Sequence, residues 1–309
     1  IEGVSGKRRL VRDALGRIIE VSFDPDSEPK RFEAVRLTLD LTIQMFAERA
    51  LDDVVEEWKP TGACAIAIDP QSGEILAMAS RPTYSLSDMS HVPENAWRNQ
   101  AISIVYEPGS TFKPFIVAQA LQARLIRKDE LFDCENGEYQ MGPRVLHDHH
   151  PYSELSVTDV LVKSSNIGMA KIGERLKNRG LYEATLKFGF GRPTGINLPG
   201  ELSGILRPLK EWNGYSTGSI PMGHELAVTP LQLITAQAAL ANSGQLITPR
   251  ILKGVQGLGT VTAHSFQASL EDPSLYEPAT IVRATVASEV ARWVIEEPMV
   301  RVVSEGTGR

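Results

Sequence analysis

The sequence predicts an α+β fold, an antiparallel sheet covered by helices, and two observations predict it. One is an early hairpin signal, "GACAIAIDPQSGEILAMAS", in which two apolar runs flank the turn "DPQSG". The other is the series of helical segments that follows, several with readable caps. At 309 residues the chain is long enough for one large core or two domains. Its 42% hydrophobic and 23% charged residues are ordinary for a globular protein. A net charge of −6 argues against a nucleic-acid partner, which would call for a basic face. Two cysteines, Cys64 and Cys134, make no disulfide framework, and Cys64 within "ACAIAI" reads as a small buried hydrophobe. No run approaches 18 apolar residues, so no membrane span is expected within the chain.

Residues 1–30 are polar and glycine-dotted, with "GRIIEVS" as a short strand and "DPDSEP" as a turn or linker. They read as the tail of another domain, and residues 31–309 as the main domain. Val35, Leu37 and Leu39 alternate as in a strand. After Asp40 a helical stripe follows: Ile43, Phe46, Ala47, Ala50, Leu51 and Val54. The hairpin comes next, then a loop from Arg81 to Asn99. "TFKPFIVAQALQARLI" is apolar nearly all round and predicts a buried helix. A second helix is expected from Ser156 to Lys163, capped by Ser156 with Asp159 in its first turn. A third, "NIGMAKIGERLKN", starts near Asn166. A fourth carries a capping box, Thr229 with Gln232, then Pro230 at its first position and Gly244 past its end.

The chemistry is concentrated in "YEPGSTFKPF", residues 106–115. Pro108 and Gly109 stop the preceding segment. Ser110 is then expected to cap the buried helix, where outward N–H groups and the helix dipole would stabilise an oxyanion. Lys113 lies three residues on, on the same face, and a dehydrated lysine there could act as base. A bare S-x-x-K arises by chance roughly once in a chain this long, as a capping serine and a solvated lysine. The second motif, "KSSNIG", changes that weighing. Ser164 can relay a proton, and the Asn166 amide can both donate and accept to hold a peptide. Alone it reads as a corner between helices with Asn166 as cap. In "LHDHHPYSE" the histidines and Asp148 are adjacent residues that rarely converge on one ion, so no metal site is expected, and Asp148 is taken to shape the cleft. Trp97, Trp212 and Tyr215 read as packing residues and Glu225 as structural.

The stretches "SGEILAMASRPTYS", "YEPGSTFKPF", "YSELSVTDVLVKSSNIGMAKIG", "FGFGRPTGINLPGE" and "GHELAVTPLQLITAQAALANSG" come in an order that resembles the class B penicillin-binding proteins, monofunctional transpeptidases, over residues 35–309. "SGILRPLKEWNGYSTGSIPMGHELAVTPLQL" is more similar to the cell-division members, and "RRLVRDALGRIIE" to the end of that family's non-catalytic N-terminal domain. The resemblance implies the fold shared by serine β-lactamases and transpeptidases. Ser110 would attack the carbonyl between the terminal D-alanines of a peptidoglycan stem peptide, and an amine of a neighbouring stem would resolve the acyl-enzyme. Lys113 would be the base, Ser164 a proton relay, and Asn166 would hold the substrate amide and Lys113. Catalytic residues are thus Ser110, Lys113, Ser164 and Asn166, with Ser164 and Asn166 also binding substrate. No metal or organic cofactor is implied. The implied partners are stem peptides, β-lactams, a membrane glycosyltransferase and division-complex proteins, on the extracytoplasmic face of the cytoplasmic membrane, with an N-terminal anchor before Ile1.

One expected motif is missing. The family's Lys-Thr/Ser-Gly strand, which supplies an oxyanion N–H, does not occur, and the chain reaches "VVSEGTGR" where relatives approach it. The reading is a transpeptidase domain truncated at its C-terminal end, weak or inactive in this form, because one lost oxyanion donor costs about a hundredfold or more. Two alternatives remain: a β-lactam sensor or serine β-lactamase, and a non-catalytic cell-wall scaffold.

Overall fold

The computed structural model describes residues 8–12, 16, 18–23, 34–90, 92–256 and 280–308. The chain divides into two compact units. In the smaller, strands Arg8–Arg12 and Ile18–Phe23 pair antiparallel, as do Ala34–Leu37 and Leu252–Gln256. The strand expected in "GRIIEVS" is therefore present. The main domain, however, does not run unbroken from residue 31: the segment up to Thr38 and the strand from Leu252 group apart from residues 39–251 and 279–309. That pairing joins segments over 200 residues apart, which local pattern cannot reveal.

The larger unit begins with α1 (Leu41–Trp58), capped by the Asp40 carboxylate, which accepts from the N–H groups of Thr42 and Ile43 at 2.8 and 3.0 Å. Next come β1 (Ala63–Ile68) and β2 (Ile75–Arg81), the predicted hairpin, paired from Ala63–Arg81 to Ile68–Ile75. Helix α1 packs on this hairpin. Gln44 closes the contact: its amide donates to the Met78 carbonyl and accepts from the Met78 N–H. Arg81 also binds Asp52 across it. The predicted stripe is thus partly displaced. Leu51 is buried, but Phe46 is 64% and Val54 45% exposed, because the inner face runs through Gln44, Ala47, Glu48 and Leu51. A polar residue that bonds the strand edge takes the place an apolar pattern would assign elsewhere.

Helices α2 (Gln100–Ser103) and α3 (Lys113–Gln122) follow, then β3 (Leu131–Asp133), β4 (Glu138–Met141), β5 (Arg144–His147), β6 (Glu154–Ser156), α4 (Val157–Val162) and α5 (Asn166–Lys187). After them come β7 (Ile205–Leu206), α6 (Ser216–Ser219), β8 (Leu226–Ala227), α7 (Pro230–Ala241), β9 (Gln245–Ile247), β10 (Ile281–Ala284), α8 (Ser288–Val294) and α9 (Val300–Ser304). The fold is α+β, as expected. Among the described residues the strands form antiparallel pairs: β1–β2, β3–β6, β4–β5, β7–β8 and β9–β10 in this unit. Ser156 caps α4, and Thr229 with Gln232 forms the predicted capping box on α7. The third predicted helix ends where the sequence reading ended it. Lys177, at φ +58°, kinks α5, and a second helical stretch continues to Lys187. Helix α3 is buried from Lys113 through Ala120. It sits in the main apolar cluster with α4, α5, α7 and α8, while β2, α2 and the start of α7 share a smaller one around Ile75, Ile102 and Leu231.

Candidate active site

Two segments meet to make the site, the turn before α3 and the corner between α4 and α5. Phe112, Phe115, Phe188 and Phe190 form one ring cluster with centroids 4.9 to 5.6 Å apart. Each fully buried ring contributes about 2–3 kcal/mol, and together they fix the start of α3 against the segment after α5. Helix α5 comes close to its neighbours because Gly168 lies against Val160 and Gly173 against the Thr217 carbonyl, where a Cβ would clash.

Ser110 does not cap α3. It lies in a 3₁₀ turn, Gly109–Phe112, and the α-helical N-cap position is Phe112, which makes no side-chain cap. Ser110 is exposed, and its hydroxyl is spared the capping bond. It accepts instead from Ser164 Oγ at 3.0 Å. Lys113 follows at the first helical position, only 2% exposed. Its ammonium donates to Ser164 O at 2.6 Å, Ser164 Oγ at 2.9 Å and Asn166 Oδ1 at 2.9 Å. Ser164 Oγ therefore touches both the candidate nucleophile and the amine. The link from Lys113 to Ser110 runs through Ser164 and not directly along one helix face. Burial pushes the Lys113 amine down to about 8, against the opposing charge of Asp148.

The corner that presents Ser164 is strained. Ser164 is a non-glycine residue at φ +56°. That conformation turns its carbonyl and its hydroxyl onto the same amine. Ser165, not Asn166, caps α5, accepting from Gly168 N at 2.9 Å. This leaves the Asn166 side chain free to bridge the site: Oδ1 accepts from Lys113 and Nδ2 donates to the His147 carbonyl at 3.0 Å. An amide NH2 has two protons, so one remains for a ligand.

Beneath this corner lies Asp148, the residue whose importance the sequence conveyed least. Oδ1 accepts from Asn166 N and from Ile167 N at 3.1 Å, and Oδ2 accepts from Ser165 Oγ at 2.6 Å. A carboxylate here satisfies two orphan N–H groups of a long helix and complements its dipole. Asp148 precedes Ser165 by 17 residues, across the short strand β6 and helix α4. The sequence assigned Asp148 only a general part in shaping the cleft, not these bonds to the start of α5. Among the described residues no cluster of three or more metal-binding side chains occurs.

A second clamp holds the turn from the other side. Gly109 N donates to Gly223 O at 3.2 Å, and Tyr106 pairs with Val228. Glu107 accepts from Glu225 N at 3.0 Å and binds His224 Nδ1 at 2.9 Å, which holds its carboxyl below the usual range. Gly223 has φ +80°, and a Cβ there would lie 2.2 Å from Gly109 O. Gly223→Ala is accordingly expected to lower the thermal midpoint by several degrees, about 1–3 kcal/mol of strain and displaced backbone. Unfolding followed by circular dichroism checks this, and an unchanged midpoint would show that the clamp yields without cost.

A cavity of about 650 Å³ opens beside the corner, lined among others by Glu107, Arg144, His147, Asn166, Arg207 and His224. It carries both signs of charge. Glu225 pairs with Arg207 and accepts from Ser216 Oγ, the structural part expected of it, while also lining the cavity. Of the aromatic candidates, Trp212 is buried and donates to Arg207 O, Trp97 stacks on Tyr84, and Tyr215 lies under the Arg144 guanidinium. Cys134 is buried, and Cys64 is only half-buried within β1.

This geometry suits acyl transfer: a nucleophile, a bridging hydroxyl, an amine of lowered basicity and an amide in one constellation. The family described as penicillin binding protein transpeptidase domain matches residues 63–309. Stage V sporulation protein D of Bacillus subtilis is 32% identical over 312 residues, all of this chain and 47% of that protein. The peptidoglycan D,D-transpeptidase FtsI of Escherichia coli is 34% identical over 244 residues, 79% of this chain and 41% of that one. The chain thus spans less than half the length of these two relatives. Penicillin-binding protein 3 of Mycobacterium tuberculosis, solved with aztreonam, superposes with a TM-score of 0.75 at 28% identity, over 91% of this chain and 62% of that one. The transpeptidase domain of Burkholderia pseudomallei penicillin-binding protein 3 gives 0.73 at 28% identity, over 88% and 71%. On sequence and on fold alike, the chain belongs to the penicillin-binding protein transpeptidase family.

Proposed function

We propose that the protein is a peptidoglycan D,D-transpeptidase of septal cell-wall synthesis and a target of β-lactams. The observation that carries this reading is the Ser164 hydroxyl, 3.0 Å from Ser110 Oγ and 2.9 Å from Lys113 Nζ. With Lys113 neutral, the Ser110 proton passes to Ser164 while the Ser164 proton passes to Lys113. Ser110 Oγ bonds to the penultimate D-alanine carbonyl. The amide C–N bond then breaks, and the ammonium of Lys113 returns its proton through Ser164 to the leaving D-alanine nitrogen. In the second half the acceptor amine of a neighbouring stem attacks the ester, gives up a proton along the same path, and Ser110 is regenerated. Asn166 donates its spare Nδ2 proton to the substrate amide and keeps Lys113 aligned. The cavity beside Asn166 takes the stem, its mixed charges matching a peptide with both carboxylates and amines. β-Lactams enter by the same attack.

Further parts of the reading follow from it. Residues 1–30 are the end of a non-catalytic N-terminal domain. The enzyme works on the extracytoplasmic face of the cytoplasmic membrane, tethered by an N-terminal anchor, beside a membrane glycosyltransferase and division proteins. Among the described residues no helix is long and apolar enough to cross a membrane.

The test is intact-protein mass after incubation with benzylpenicillin, with release by hydroxylamine as control. A single adduct that clears slowly is expected. Clearance within seconds would favour a β-lactamase, and no adduct in the whole protein would favour a scaffold.

Asp148 gives a finer test. Its charge raises the Lys113 pKa against the effect of burial. Asp148→Asn keeps an acceptor for Asn166 N and Ile167 N and removes the charge. The pH at which penicillin acylation rises half-way is therefore expected to move below that of the wild type, while Asp148→Ala slows acylation at every pH. Stopped-flow acylation across pH 6 to 9 decides, since an unmoved profile in Asp148→Asn would leave Asp148 with a packing role alone.

A further inference from the structure

A second cavity, about 300 Å³, lies between the segment following α5, α7 and the β9–β10 pair, and none of Ser110, Lys113, Ser164 and Asn166 lines it. The only charged side chains among its described lining residues are Arg192 and Arg283. Neither forms an ion pair among the described residues. Arg283 makes one side-chain hydrogen bond, from Nη1 to Leu186 O at 3.3 Å, and Arg192 is exposed at the rim. Two guanidinium groups close enough to repel each other, with no carboxylate between them, are unusual in a chain of net charge −6.

A third group points the same way. Thr235 lines the cavity and is only 6% exposed, yet its Oγ1 has no hydrogen-bond partner. A buried helical threonine ordinarily donates back one turn, as Thr185 does to Leu181 O at 2.8 Å. A buried hydroxyl left unbonded costs about 1–3 kcal/mol. Phe188, Leu246 and Val282 supply apolar wall. Two forked cations and a hydroxyl from three different elements match a group with several acceptor oxygens.

We propose that this cavity binds a phosphate-class oxyanion, held by Arg192 and Arg283 with Thr235 Oγ1 as a further donor. The same chemistry could reach the site as free phosphate or as the phosphate headgroup of a lipid. Thermal unfolding is measured with inorganic phosphate against sodium chloride at equal ionic strength. Co-sedimentation is measured with phosphatidylglycerol vesicles against phosphatidylcholine vesicles. The protein is compared with Arg192→Gln, whose exposed side chain can be lost without harm to the fold, and with Arg192→Gln/Arg283→Gln.

A phosphate-specific rise in melting temperature that shrinks in the single variant and vanishes in the double one supports the site with a free anion as ligand. Retention by anionic vesicles alone, weakened at least tenfold in both variants, supports it with a headgroup as ligand. Absence of both effects in the wild type overturns the proposal, and so does equal binding by wild type and Arg192→Gln. None of these readings depends on transpeptidase activity.

Discussion

Ser110→Ala leaves the protein folded and unable to form a penicilloyl adduct. Ser110 is exposed, lies in a 3₁₀ turn and has a single side-chain hydrogen bond, received from Ser164. Replacing an exposed hydroxyl that caps no helix changes stability by about half a kcal/mol or less. The alanine fits the same turn, and the ring cluster around Phe112 and Phe115 that holds it is untouched. Covalent chemistry is another matter. The adduct requires an oxygen at this place, and the neighbouring hydroxyl of Ser164 faces inward, bound by Lys113. Labelling should fall below detection, while circular dichroism and the melting temperature match the wild type. Persistent, hydroxylamine-sensitive labelling of the variant would move the nucleophile elsewhere, Ser164 being the first place to look by peptide mapping.

The same turn shows how far the sequence could be read. Pro108, Gly109 and the apolar run after Ser110 announced a sharp stop and a buried helix, because steric exclusion and burial are local and one-dimensional. Whether a serine there caps the helix or faces a partner is decided by what arrives from outside, and Ser164 comes from 54 positions away. The caps at Ser156 and Thr229 were legible for the opposite reason, since every bond they make lies within three residues. In α1 the apolar residues were visible, but the inner face was set by Gln44 bonding an exposed strand edge. Asp148 was legible as an acid that shapes the cleft, but its partners were not. Its three partners sit on a helix start that no periodicity links to it. Ser164 and Asn166 were found by motif, yet the positive φ that turns Ser164 toward Lys113 is a property of the packed corner.

Lys113→Met tests the other half of the constellation, through two readouts that move independently. Methionine matches the length and volume of the buried stem and removes the amine. Loss of a positioned base costs about 10²–10⁴-fold in rate, so acylation should slow by that factor. Its pH dependence should change as well. With the amine at about 8, roughly a tenth is neutral at pH 7, and wild-type acylation is expected to rise close to tenfold per pH unit below that value. The variant should lack this rise. Stability supplies the second readout. In the unfolded chain the lysine holds its proton up to the ordinary 10.5, whereas the folded protein releases it at about 8. Between those values the unfolded state binds more protons, so wild-type stability gains as pH increases. Below 8 the full cost of a buried ammonium is present, at most ~3 kcal/mol over that interval. The stability of Lys113→Met relative to wild type should therefore be greatest at pH 7 and decline steadily toward pH 10.5, as measured by urea unfolding. A constant difference across that range would mean that Lys113 keeps an ordinary basicity, and proton transfer through Ser164 would then need another base.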